Sequence, residues 1–151
     1  MTAPVPFTSP NTSAGTDPTS RVVDTTALVT EFLRTDPEVS AVLAGRVSTV
    51  PPADKVFPLA RVTRVGGAPA LGFTVWLDQA LYQLDIWADT VAQVADAARC
   101  CVWALDQRLP GSRPGGVVTA VRITTVATDI DPEFAPVKHR VRLGFTVTAH
   151  P

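Results

Sequence analysis

The chain has 151 residues, of which 46% are hydrophobic and 18% charged, with a net charge of -1. That composition excludes a disordered chain, and the length predicts one domain that folds without a metal or disulfide staple. Near-neutrality gives no strong pull toward nucleic acid or membrane, and no apolar stretch approaches the ~20 residues needed to span a bilayer.

Residues 1–23 are rich in Pro, Thr and Ser and read as an extended N-terminal arm, with Val5 and Phe7 as its candidate anchors. They lack the basic start and apolar core of a signal peptide. Residues 24–151 read as the folded domain. A first helix is expected at 24–34, capped by Asp24 or Thr25, with Leu28, Val29, Phe32 and Leu33 on one face. A second is expected at 37–44, capped by Asp36 and closed by Gly45. Arg46–Val50 and Phe57–Val65 carry strand signals, and Gly66-Gly67-Ala68-Pro69 reads as a break. Leu71–Leu77 is a possible hairpin arm.

Gln79–Ala88 alternates as a strand, with Tyr82, Leu84 and Ile86 on one face and Gln83 and Asp85 on the other. The clearest helix is 90–108. Its apolar stripe runs through Val91, Val94, Ala95, Ala98, Cys101, Val102 and Leu105, while Arg108 faces away. Val117–Val126 and Val137–Ala149 are the last strands. In the second of these, Val141, Leu143, Phe145 and Val147 point in, and Arg140 and Arg142 point out. A turn carrying Asp129 and Asp131 joins the two. The fold class is α+β: a mixed, mainly antiparallel sheet with two main helices packed on one face, plus the arm.

The search for chemistry finds no G-x-S-x-G elbow, P-loop or H-E-x-x-H motif. His139 and His150 have no partner at metal-ligand spacing. Cys100 and Cys101 are adjacent and mid-helix, which fits packing in a reducing compartment and not thiol catalysis. Asp129, Asp131 and Glu133 lack the glycine and distal Glu of a calcium loop, so solvated turn acids are the simpler reading. Trp76, Trp87 and Trp103 suit core or interface anchoring. No catalytic residue, cofactor or metal site is therefore assigned.

The basic residues are nearly all Arg, with Lys55 and Lys138 the only lysines. Codon bias explains that as well as selection for bidentate contacts does. Arg61, Arg64, Arg122, Arg140 and Arg142 form the candidate assembly or lumen surface. Arg61 and Arg64 have opposite parity, so one of them is expected to turn inward toward an acid. The alternative is a plain solvated sheet face.

Several segments in order carry a resemblance. A helix at 28–34 precedes D-P-E-V-S-A-V-L-A-G-R-V at 36–47 and F-P-L-A-R-V at 57–62. L-D-I-W-A-D at 84–89 then runs into the long helix, and H-R-V-R-L-G-F-T-V at 139–147 closes the chain. Over about residues 24–149 this resembles the tail terminator (tail completion) proteins of long-tailed bacteriophages. The arm and the Gly66–Leu77 segment depart from the compact pattern.

The resemblance implies a structural virion protein, not an enzyme, assembled in the host's cytoplasm. It implies a homo-oligomeric ring, usually a hexamer, at the head-proximal end of the tail tube. That ring ends tube polymerisation and meets the head connector, with DNA passing through its lumen and no membrane involved. The alternatives are another head–tail neck component, a small ligand-binding domain with a concave polar pocket, or a nucleic-acid module with salt-sensitive affinity. Charge reversal at Arg140 or Arg142 is expected to spare the fold and harm assembly.

Overall fold

The computed structural model describes residues 22–69 and 77–151. Val5, Phe7, Trp76 and most of the expected 71–77 strand lie outside the described residues. The elements in order are α1 (Thr25–Thr35), α2 (Pro37–Leu43), β1 (Val47–Ser48), β2 (Leu59–Pro69), β3 (Asp78–Ala88) and α3 (Val91–Trp103). A π-helical turn (Ala104–Arg108) follows, then β4 (Gly111–Arg113), β5 (Gly116–Asp131) and β6 (Lys138–His150). The sheet order is β1-β2-β3-β6-β5-β4. β1 pairs with β2 in parallel and every other pair is antiparallel.

The helices start where short polar side chains can accept backbone N–H groups. Asp24 accepts from Ala27 N at 3.0 Å, Asp36 from Val39 N at 3.2 Å and Thr90 from Gln93 N at 3.2 Å. α2 ends on Ala44 in the left-handed conformation, with Gly45 also at positive φ. All three helices pack on one sheet face. Their buried residues, among them Val29, Leu33, Leu43, Val94, Ala98 and Cys101, form one core with the inward residues of β2, β3 and β6. At its centre Tyr82 stacks on Phe145, ring centroids 5.6 Å apart. This is the expected α+β fold, and the inward parity of Val141, Leu143, Phe145 and Val147 holds.

Three expectations need correction. First, Gly66–Pro69 does not break β2, which continues to Pro69 past a bulge between Arg64 and Gly66. Gly67 sits there at φ +108°, and a Cβ on it would lie 2.1 Å from the Gln79 carbonyl oxygen. The glycine permits close strand approach, which in sequence looks like a turn signal.

Second, β5 does not stop at Val126. It runs on to Asp131, because Asp129 and Asp131 face arginines and a lysine across β6. Third, α3 does not continue regularly to 108. At the π-helical turn Leu109 N reaches back to the Ala104 carbonyl at 2.9 Å, and the extra residue per turn shifts the phase. Ala104 is buried, Val91 at the other end is exposed, and Arg108 swings onto α2.

Arg108 makes a bidentate pair with Asp36, Nε to Oδ1 and Nη2 to Oδ2, both at 2.8 Å. Asp36 is 5% exposed, so the same carboxylate caps α2 and ties it to the end of α3. Removing one partner of such a pair leaves a buried charge alone. Arg108→Leu is therefore expected to cost about 2–4 kcal/mol in urea denaturation, and less than half of that in an Asp36→Asn background. Additive losses would show that the pair is not coupled. Gly67→Ala is expected to cost ~1–3 kcal/mol through backbone strain and collision with β3; an unchanged urea midpoint would contradict the close approach.

Candidate assembly surface

The sheet face opposite the helices carries the outward residues of β2, β3, β6 and β5. The registers Arg61↔Asp85, Asp85↔Arg142 and Asp129↔Arg140 place acids beside arginines on neighbouring strands. Arg61 Nη2 meets Asp85 at 3.1 Å, and Gln83 Nε2 adds 3.0 Å to the same carboxylate. Asp85 is 1% exposed. Arg61 also lies over the Trp87 ring, 5.2 Å from its centroid.

Arg140 grips Asp129 with Nε and Nη2, each at 2.8 Å, and reaches Asp131 at 3.3 Å. Arg142 shares Asp129. Asp131 further accepts the Trp87 indole N–H at 2.8 Å and the Glu133 backbone N–H at 3.0 Å. Phe134 packs on Trp87 and Phe57, covering this end of the face.

Arg64 is the arginine that turns inward. It shares the helix-side face with Tyr82, and its two Nη atoms hold both oxygens of Asp78 at 2.8 Å. Thr25, the first residue of α1, donates to the same carboxylate at 2.6 Å. Arg64 therefore does not belong to the outer surface. Of the five candidates, Arg122 is exposed, lies across from Thr146 and has no ion-pair partner among the described residues. The structure brings Arg61, Arg140 and Arg142 together with acids, and leaves Arg122 apart from them.

These pairings also revise the mutational expectation. Arg140 is largely buried and holds the end of the β5–β6 hairpin. A glutamate at 140 would face Asp129 and Asp131, so reversal there is expected to disturb the fold itself. Of the three acids read from the sequence as a turn cluster, Asp129 and Asp131 are engaged by Arg140, Arg142 and Trp87, while Glu133 is exposed with no ion pair among the described residues. Among the described residues, no group of three or more His, Cys, Asp or Glu could hold a metal ion.

A hollow of about 350 Å³ on this face is lined by Lys55, Arg61, Trp87, Phe134 and Arg140, but its arginines already serve Asp85, Asp129 and Asp131. Burial pushes the Cys101 thiol up to about 12, which leaves it inert at neutral pH. No helix among the described residues is long and apolar enough to cross a membrane. The sequence reading missed the Asp36–Arg108 pair and the exposed Trp103, whose outward position depends on where α3 meets the sheet.

The pairs set a pH dependence. Hydrogen bonds from Arg140, joined by Arg142, lower Asp129 to about 2 although burial opposes its charge. The Arg108 hydrogen bonds lower Asp36. Burial opposes the charge of Asp78 and Asp131, yet Arg64 with Thr25, and Trp87 with the Glu133 amide, bring both below the usual carboxylate value. All four are lower in the folded state than their unfolded value of about 3.9, so their stabilisation is complete above about pH 5 and fades as pH falls toward 2. The urea midpoint is expected to be flat from pH 7 to 5 and to drop steeply below 4, with a shallower drop in Arg140→Met. An equal acid slope in that variant would contradict the assignment.

Comparisons with known proteins add to this geometry. The fold matches a chain of a solved structure described as the virion of native gene transfer agent (GTA) particle. The TM-score is 0.66 at 18% identity, covering 83% of this chain and 94% of that one. No curated protein sequence matches. A family model described as tail completion protein gp17 matches residues 27–148, which takes in all or most of every helix and strand. The chain belongs to the tail completion protein gp17 family and is a structural component of a phage virion's tail or neck, not an enzyme.

Proposed function

We propose that copies of this chain form a ring, a hexamer by the family resemblance, on the head-proximal end of the tail tube. There the ring ends tube polymerisation and joins the tail to the head connector, and DNA passes through its lumen without sequence-specific binding. The observation that carries this reading is the tail completion match across residues 27–148.

The paired charges of the outer sheet face agree with it. Arg61, Arg140 and Arg142 are neutralised by Asp85, Asp129 and Asp131. A lumen wall of that kind offers DNA few uncompensated cations, so few counterions are released and the duplex does not stick. Arg122, with no acid beside it among the described residues, is the cation left for contact with the tube protein or the connector.

Deleting the gene from its source genome tests this. Negative-stain electron microscopy is expected to show tails longer than normal that fail to join heads. Tails of normal length without heads would move the role to another neck component, and normal virions would contradict a role in tail completion. Arg122→Glu is expected to leave the melting temperature unchanged and lower the yield of complete virions; a normal yield would remove Arg122 from the assembly surface.

A further inference from the structure

β5 spans Gly116–Asp131, yet on its outer side β4 pairs only with Gly116, Val117 and Val118. From Thr119 to Asp131 no strand lies against that side among the described residues, while β6 pairs with the other. The stretch reads TAVRITTVATDID, without the proline or lysine that ordinarily blunts an edge. Such an edge is a template on which another strand can add.

The side chains along the edge determine which strand fits. The register shift between Ile123 and Thr125 leaves Thr124 as the extra residue of a bulge, so the alternation changes phase there. The pairing with β6 puts Val121, Ile123, Val126, Thr128 and Ile130 on the helix side, and Ala120, Arg122, Thr125, Ala127, Asp129 and Asp131 on the outer face. Turned end for end about Val126, this pattern matches itself. In an antiparallel pair, opposed residues share a face. Val126 then meets Val126 of a second copy, and Thr125 meets Ala127. Past the two bulges Ile123 meets Thr128, Arg122 meets Asp129, Val121 meets Ile130 and Ala120 meets Asp131. Every pair keeps to one face, and the register spans the whole open edge. A shift by one position sets inward residues against outward ones. A shift by two shortens the pairing and leaves Asp129 against Thr125 or Ala120.

Charge and apolar surface agree with that register. Arg122 is exposed and has no ion-pair partner among the described residues. The Asp129 side chain is 36% exposed. Arg140 and Arg142 donate to it through Nε, Nη2 and Nη2, and a carboxylate accepts about four such bonds, so the opposed Arg122 finds an acceptor there. No acid faces an acid. On the helix side, Val126 and Trp103 line an apolar groove of about 460 Å³. Val126 is 61% exposed, and Trp103 and Ile130 are each 55% exposed. Pairing at Val126 takes this apolar strip out of water on both copies.

We propose that the free protein pairs with a second copy of itself through the open edge of β5, antiparallel and centred on Val126, joining two six-stranded sheets into one. The contact is isologous and closes on two copies. It does not rest on the ring, and it parts before Arg122 can meet another tail protein.

Sedimentation of the full chain from low to high micromolar concentration, with hydrogen exchange of the β5 amides at both ends of that range, tests it. A monomer–dimer equilibrium is expected, with amides between 120 and 131 exchanging about tenfold slower at the high end. In Val126→Asp two carboxylates would meet at the twofold axis, so dimer and protection are both expected to be lost while the far-UV circular dichroism is unchanged. The concentration series on the unaltered chain decides the matter even where that variant fails to fold. A chain that stays monomeric throughout overturns the proposal. Protection independent of concentration also overturns it, because the chain then covers its own edge. Growth beyond two copies, a dimer that leaves these amides unprotected, or a dimer that survives Val126→Asp does so as well.

Discussion

Four aspartates, Asp36, Asp78, Asp85 and Asp131, are buried, and a carboxylate cannot stay charged there without donors around it. Each has an arginine: Arg108, Arg64, Arg61 and Arg140. The pairs fall at the joints of the molecule. Asp36–Arg108 closes α2 against the end of α3. Asp78–Arg64, with Thr25, fastens the start of α1 to the β2–β3 hairpin. Asp131–Arg140, with Trp87, fixes the far end of β5 and β6. Arginine suits the first two pairs because its planar fork holds both oxygens of Asp36 and of Asp78 at once.

That constraint bears on function. Arginines that looked like an assembly surface are largely engaged in holding the fold, and the outer sheet face is close to electrically balanced. Among the described residues, other features lie unpartnered at the surface: Arg122, the backbone edge of β5 beyond Val118, and the apolar groove at Trp103 and Val126. Such features are the kind on which a structural protein of a tail can assemble without catalytic chemistry.

Much of the fold was legible because its periods are local. The alternation of β6, the 3.6-residue stripe of α3 and the Asp-Pro start of α2 each reveal themselves within a few residues. The opposite parity of Arg61 and Arg64 was also readable, and one of the two does turn inward. What was not legible depends on distant partners. Asp36 and Arg108 lie 72 positions apart, and a π-helical turn moves Arg108 out of its expected phase. Asp129 and Asp131 carry turn propensity, and only the arginines across β6 let the strand continue through them. Gly67 reads as a turn residue until β3 is brought against it. The open edge of β5 is a property of topology, invisible before the strand order is known.

The proposed role is that this protein ends growth of the tail tube by sitting on its end. The direct measurement is to polymerise the purified tube protein in the presence and absence of this chain and to image the products by cryo-electron microscopy. Shorter tubes are expected, each carrying one ring of extra density at a single end. Tubes of unchanged length with bare ends would contradict it.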